Sequence, residues 1–425
     1  MLTAIVGTNW GDEGKGRMVD LLSEEYDVVI RYQGGNNAGH TVINDKGKFI
    51  LNLLPSGILR DTTCNVMGPG MVIDIEHLAG EMGRLAEKGI LLGEEHLVIS
   101  DRAVICMPYH KLLDCLEEDR LGDAKFGSTR RGISPVYADK YMKKVIRVGD
   151  LLESEEFLRK KVAGIVEWKN LTVEKGYGHE PVTTEEMMAW LKRYGDPIKK
   201  YIRNTTVFLN SAMRAGKKIM FEAQLGALRD VDFGILPYTS ASCTLASYAP
   251  IGAGIPGARL DRVIGIMKAY SSCVGEGPFT CELFGKEGDE LREAGGEYGA
   301  ATGRPRRVGG FDVPASRYGA MMQGATEIAL TKLDVLSYLD KIPVCVAYEV
   351  NGRRTDEFPM GSALTNAKPV YEYFEGFRCD VSKCRRKEDL PRAAMDYIRY
   401  IEKAVGCPIK YVSVGAERDA IIQLY

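Results

Sequence analysis

The run Gly7-Thr-Asn-Trp-Gly-Asp-Glu-Gly-Lys-Gly-Arg17 gathers the residue types that handle phosphate. Glycines let a backbone approach phosphate oxygens closely. A helix N-terminus offers free N–H donors and the positive end of its dipole, and Lys15 adds a point charge. The run is not a Walker A sequence, because Gly16 stands where Ser or Thr would follow the lysine and the glycine spacing differs. It also sets Asp12 among the phosphates, where a carboxylate is costly unless it holds a metal ion or takes a proton. The plain alternative is a glycine-rich turn with a capping aspartate. The apolar run before it and the helical pattern after it favour phosphate binding. A second cluster, Gln33-Gly-Gly-Asn-Asn-Ala-Gly-His-Thr41, follows an apolar run ending at Arg31. His40 titrates in the right range for a general acid, and its amide-rich loop favours a functional histidine over a structural one.

These clusters need elements to position them. Thr3–Val6, Val28–Arg31, Asn65–Met67 and Leu97–Ser100 read as short buried strands, with helical patterns at Lys15–Ser23 and Ile75–Lys88 between them. That alternation predicts an α/β fold with a mainly parallel central sheet flanked by helices. In such sheets sites form at the C-terminal ends of the strands, where both polar runs fall. Residues 103–205 are richer in charge and helix formers, as in Glu153–Lys161 and Thr184–Arg203, and read as a largely helical insertion. Strand signals return at Lys218–Phe221, Arg262–Lys268, Glu327–Thr331, Val344–Val350 and Tyr411–Val414. Without a repeat or a low-complexity linker, residues 1–425 read as a single large domain. Gly303, Pro305, Gly309 and Gly310 predict a mobile loop.

Composition narrows the function. The formal charge is −2 over 425 residues, with 45% hydrophobic and 27% charged side chains. That is ordinary globular composition, with no global reason to bind nucleic acid or an anionic membrane. No apolar run reaches the length of a membrane span, and no signal peptide precedes the first strand. The ten cysteines include no CxxC pair, which suits reduced cytoplasmic thiols packed as small hydrophobes.

Taken together, Trp10-Gly-Asp-Glu-Gly-Lys-Gly16 and Gly34-Gly-Asn-Asn-Ala-Gly-His-Thr41 resemble the adenylosuccinate synthetase family. Matches continue along nearly the whole chain at Pro55-Ser-Gly-Ile58, Gly149-Asp150, Gly277-Pro-Phe279, Thr302-Gly-Arg304, Thr331-Lys-Leu-Asp334 and Ser413-Val-Gly415. The resemblance implies a P-loop-like GTP-binding ligase fold and a cytoplasmic homodimer with shared active sites. It implies GTP-dependent joining of L-aspartate to IMP, with one Mg²⁺ per subunit and a 6-phosphoryl-IMP intermediate. Asp12 would take the N1 proton of the purine, His40 would hydrogen-bond the transferring oxygens, and Lys15 would act beside them. Asp12 and the Gly39 carbonyl would contact Mg²⁺. The amides of Gly11, Gly14 and Gly16, with Lys15, would cradle GTP phosphates, Asp12, Glu13, Arg17, Gly39, His40 and Thr41 would also contact GTP, and Arg306 would reach the same side. Lys332, Leu333 and Asp334 would read the guanine base, with Ser413, Val414 and Gly415 closing its far side. A carboxylate at Asp334 can accept from guanine N1–H and the 2-amino group, which adenine cannot match. The acceptor nucleotide would meet Asp12 through Lys15, together with Asn37, Ala38, Gly39, His40, Thr129, Lys143, Gln224, Thr239, Ser240 and Arg304. Ala301, Thr302, Gly303 and Arg304 would hold aspartate, a role that suits arginine forks.

The acceptor pocket departs from the family pattern. Lys143 stands for the partner-subunit arginine that holds the 5′-phosphate, and offers a point charge in place of a fork. Phe221-Glu-Ala-Gln-Leu-Gly226 moves Gln224 by one residue, Pro237-Tyr-Thr-Ser-Ala-Ser242 leaves Thr239 or Ser240 as the contact, and Ser271-Ser-Cys273 replaces a threonine pair. Two other readings follow. One is the same chemistry on another 6-oxopurine nucleotide such as dGMP. A phage branch of the family uses dGMP, but that branch lacks the aspartate standing here as Asp12. The other is a non-catalytic GTP-binding protein, which would need neither Asp12 nor His40.

Overall fold

Leu2–Gly7 (β1) is buried along its whole length, so it must lie inside a sheet covered on both faces. The computed structural model describes residues 1–44, 47–299 and 303–425. In it β1 is a central strand of a ten-stranded sheet. The other strands are Val28–Arg31 (β2), Cys64–Met67 (β3), Leu97–Ser100 (β4), Ile202–Arg203 (β5), Ile219–Glu222 (β6), Arg262–Lys268 (β7), Glu327–Thr331 (β8), Ile409–Ser413 (β9) and Ile421–Gln423 (β10). The order is β10-β9-β8-β7-β1-β6-β2-β3-β4-β5. Every neighbouring pair is parallel except β9–β10. The α/β architecture read from the sequence is the one observed.

Parallel strands need crossovers, and helices supply them. Lys15–Leu22 (α1) follows the first polar run and Ile75–Glu87 (α2) is capped by Asp74, whose side chain accepts from the His77 N–H at 3.1 Å. The segment read as helical carries Pro108–Leu121 (α3), Ile133–Tyr141 (α4), Glu155–Asn170 (α5) and Thr184–Gly195 (α6). Its last helix is shorter than the predicted Thr184–Arg203. Gly195 and Pro197 end the α-helical ladder, residues Asp196–Tyr201 continue as a 3₁₀ turn, and β5 pairs with β4 at the sheet edge. Val344–Val350 belongs to a second sheet, as part of Lys341–Val350 paired with Phe311–Asp312, Arg353–Thr355 and Lys368–Glu375.

The segment read as a mobile loop is more ordered than its glycines suggest. Residues 300–302 lie outside the described residues, so Ala301 and Thr302 are not placed. Beyond them Arg307–Gly309 forms a strand against Ser271–Cys273. A Cβ on Gly309 would sit 2.0 Å from the Cys281 carbonyl oxygen and one on Gly310 2.6 Å from that of Pro343. Close packing, not mobility, requires glycine there.

Candidate active site

The strands of this sheet end in polar and charged residues on one edge: Arg31 on β2, Glu222 on β6, Lys268 on β7, Thr331 on β8 and Ser413 on β9. The loop after β1 rises from the middle of that edge. Gly11 and Gly14 adopt φ of 99°, and Asp12 adopts φ of 60° without being glycine. Leu225 (φ 62°) and Lys332 (φ 60°) share this left-handed conformation beside the same loops. Such residues persist where surrounding packing over-determines them, and they mark functional sites.

The loop organises itself around Glu13. Its buried carboxylate accepts from the N–H groups of Asn9 at 3.1 Å and Gly11 at 2.9 Å, and from Lys15 Nζ at 2.6 Å. Its carbonyl accepts from Thr331 Oγ1 at 2.7 Å. The Glu13 side chain, predicted among the nucleotide contacts, therefore shapes the loop from beneath. Gly16 has a packing reason too. A Cβ there would come within 2.7 Å of His40 Cβ, so the residue that would be Ser or Thr in a Walker A loop must be glycine for His40 to fit.

His40 opens a two-stranded hairpin, and its imidazole is buried. Its Nδ1 is hydrogen-bonded to Glu222 Oε1. Glu222 also accepts from the Ser56 N–H at 2.7 Å and Ser56 Oγ at 2.6 Å. Burial alone would raise the Glu222 carboxyl, but His40, Arg31 and Ser56 outweigh it and hold it below the ordinary range. Ionised Glu222 can only accept, so Nδ1 carries a proton. Burial pulls the imidazole down, against the opposing charge of Glu222 and reinforced by Arg31 and Lys15. His40 Nε2 is buried without a hydrogen-bond partner among the described residues. Such an atom awaits a ligand or water.

These groups meet in a cavity of about 160 Å³ lined by Asp12, Gly14, Lys15, Gly16, Ala38, Gly39, His40, Thr41, Leu225 and Arg306. Asp12 Oδ2 lies 3.1 Å from Arg306 Nη2. A larger depression of about 360 Å³ is lined by Leu21, Glu24, Glu25, Tyr411 and Gln423 among others. It contains no residue of either glycine-rich run, so we place the chemistry in the smaller cavity.

A second cluster lies beyond β8 and β9. Lys332 Nζ reaches the Gly295 carbonyl at 2.6 Å and Glu297 Oε1 at 3.2 Å. Asp334 Oδ1 is buried without a partner among the described residues, and burial raises its carboxyl despite Lys332 and Arg17. Arg17, predicted to contact GTP, donates to Ser413 Oγ and to the carbonyls of Gly415, Glu417 and Ala420. It straps α1 to the 413–420 loop. Leu333 and Val414 are fully buried.

The predicted acceptor residues are more scattered. Gln224 is buried and donates to the carbonyls of Gln33 at 2.9 Å and Gly35 at 3.2 Å. It locks the second glycine-rich loop from below, and the neighbour lining the cavity is Leu225. The shift of one residue explains the exchange. Asn37 Oδ1 accepts from the Gly35 N–H at 3.2 Å. Ser240 Oγ pairs with Ser242 Oγ at 2.9 Å beside Thr239. Thr129 and Lys143 are exposed on either side of α4, and neither lines the cavity. Gly303 is exposed at φ 64°, and Arg304 lies 3.5 Å from Glu276. Sequence reasoning missed Glu222, Glu297, Leu225 and Arg31. The readable signal was a charged residue closing an apolar strand, as Arg31 and Glu222 both do.

The sequence profile described as Adenylosuccinate synthetase matches residues 4–422. The chain belongs to the adenylosuccinate synthetase family. It is accordingly an enzyme, a GTP-dependent C–N ligase. An adenylosuccinate synthetase from Halothermothrix orenii is 46% identical over 421 residues, covering 99% of this chain and 97% of the relative. One from Pelobacter propionicus is 44% identical over 422 residues, covering 99% and 98%. The solved structure of fully ligated adenylosuccinate synthetase from Plasmodium falciparum superposes with a TM-score of 0.92 at 35% identity, covering 100% of this chain and 99% of that one. The cyanophage S-2L succinoaminodeoxyadenylate synthetase bound to dGMP and dATP gives a TM-score of 0.62 at 18% identity, which is a likeness of fold alone.

Proposed function

We propose that this enzyme joins L-aspartate to IMP at the expense of GTP, forming adenylosuccinate, GDP and phosphate through 6-phosphoryl-IMP. The observation that carries the reading is the buried, unpartnered His40 Nε2 in one cavity with Asp12 and Lys15. A site that merely binds a nucleotide has no use for a carboxylate and an oriented imidazole at the phosphates.

The purine 6-oxo group leaves poorly, so it must first be made a phosphate ester. Asp12 takes the N1 proton, which puts charge on O6. O6 attacks the γ-phosphorus of GTP and the bond to the β-phosphate oxygen breaks. With Nδ1–H fixed on Glu222, His40 donates from Nε2 only as the imidazolium. Phosphate oxygens arriving against Nε2 favour that form and offset the burial that depresses it. Lys15 and the loop N–H groups carry the remaining charge. The aspartate amine then adds at C6 and phosphate departs with O6.

Mg²⁺ suits the donor set. It binds through one or two carboxylates plus substrate phosphates and keeps several waters, and the cavity wall offers the Asp12 carboxylate with the Gly39 backbone. Asp12 and the Gly39 carbonyl would hold it, and it would supply neutralising charge to the phosphates. Asp334, with its unpartnered oxygen, reads guanine beside Lys332 and Ser413, and Arg17 supports that side from behind. Gly303 and Arg304, with Ala301 and Thr302, receive aspartate. Thr129 and Lys143 serve the 5′-phosphate of IMP, Lys143 across a homodimer in the cytoplasm, which suits its absence from the cavity lining of its own chain. Residues 1–425 act as one domain. Phosphate release measured with IMP, dIMP, GMP and dGMP, each with and without aspartate, tests the reading. Release with IMP that requires aspartate supports it. Release with dGMP and none with IMP, or none with any acceptor, overturns it.

A further inference from the structure

Glu297 follows the helix Gly285–Gly295 and is fully buried. One carboxylate there collects four donors. Oε1 accepts from Lys268 Nζ at 2.7 Å, from Lys332 Nζ at 3.2 Å and from the Tyr270 hydroxyl. Oε2 accepts from Arg306 Nη1 at 2.8 Å. Burial opposes the charge, but Lys268 and Lys332 hold the carboxyl far below the carboxylate range. Two of these donors lead into the site. Arg306 Nη2 continues to Asp12 at 3.1 Å, and the Arg306 N–H returns to the Glu297 carbonyl at 2.9 Å. Gly299 donates to the Arg304 carbonyl at 2.8 Å, next to that bond. Lys332 stands two residues before Asp334, and its Nζ is held by the Glu297 carboxylate and the Gly295 carbonyl.

A buried charge with this many partners is costly to assemble and needs a reason beyond stability, since apolar side chains of similar volume commonly serve folding as well. We propose that Glu297 is a positioning residue for the ligation: one buried carboxylate sets Arg306 against Asp12 and sets Lys332 beside Asp334, joining the base-reading end of the site to the end where aspartate is received. The inference rests on the function proposed above.

Glu297→Gln keeps the shape and removes the charge. It strands Lys268, which is fully buried, so a paired variant, Glu297→Gln with Lys268→Met, removes the stranded cation as well. The KM values for GTP and for aspartate should each rise by about tenfold, the scale of one lost charge-assisted contact, while that for IMP stays within about twofold. Lys332→Met in the unsubstituted background should raise the aspartate KM, although Lys332 touches no aspartate, and should add little to that KM in the paired variant. A merely structural Glu297 would lower Tm and leave the three KM values in their original ratio. A folded paired variant with KM values for GTP and aspartate within twofold of the parent overturns the inference. So does an unchanged aspartate KM in Lys332→Met, a result that needs no Glu297 variant to fold. Failure of the parent reading shows separately, as absence of turnover by the unsubstituted enzyme. In that event GDP affinity by calorimetry decides the Lys332 arm: about tenfold weaker binding in the paired variant supports it, and unchanged binding refutes it.

Discussion

Glu222→Gln isolates what the carboxylate beside His40 contributes. In the parent both carboxylate oxygens only accept, from His40 Nδ1–H, the Ser56 N–H and Ser56 Oγ. Glutamine keeps one accepting oxygen and turns an amide NH₂ to the others. Either His40 loses its acceptor or the Ser56 N–H faces another donor. A buried donor left unmatched costs about 1–3 kcal/mol. Losing one preorganised donor at a developing oxyanion costs about 2.7–4 kcal/mol, a hundredfold or more in rate. The substitution should therefore lower kcat about a hundredfold. It should barely change the KM values for GTP and IMP, because the interaction strengthens only as charge develops. The pH profile gives the sign. Glu222 raises the imidazole against burial, Arg31 and Lys15. Without its charge the imidazolium is lost sooner, so the alkaline limb of kcat moves to lower pH. Steady-state kinetics across pH, with circular dichroism to verify folding, makes the test. A folded variant within threefold of the parent kcat, with an unmoved alkaline limb, would refute the orienting role.

Three further outcomes follow from the site. Asp12→Asn and Asp12→Ala should both lower kcat by more than about a hundredfold; only alanine should also lose about 1 kcal/mol of stability in urea titration, because it tolerates a φ of 60° poorly, and a kcat above a tenth of the parent's would remove Asp12 from the chemistry. Asp334→Asn should raise the KM for GTP and admit xanthosine triphosphate, whose 2-oxo group needs a donor; unchanged GTP use with xanthosine triphosphate still inert means that Asp334 does not read the base. Lys143→Ala should raise the KM for IMP and leave that for GTP alone, and mixing it with Asp12→Ala chains should restore activity; no recovery in proven heterodimers, or a monomer by sedimentation, removes the shared site.

The sheet was legible because parallel strands buried on both faces read as short apolar runs, and β2, β4, β7 and β8 match those runs residue for residue. The first loop was legible because its glycines answer a backbone need, a φ of 99° at Gly11 and Gly14. The buried partners were not. Glu222 lies beside Arg31 only through the register of β6 on β2, and Glu297 meets Lys268, Lys332 and Arg306 only in space. Neither relation leaves a spacing in the chain. The packing of Gln224 under the second glycine-rich loop was not legible either, because one residue of shift decides which side chain lines the cavity and which lies beneath it, a difference that types alone do not carry. The partners of Arg17 were hidden for a related reason. Its position in a phosphate loop is local, but its partners lie some four hundred residues away at 413–420.

In the proposed ligation O6 of the acceptor purine leaves C6 as a phosphate oxygen. Turnover of IMP labelled with ¹⁸O at position 6, followed by mass analysis of the released phosphate, tests it directly. One ¹⁸O is expected in each phosphate formed with adenylosuccinate. Unlabelled phosphate, with the label lost to water, would contradict it.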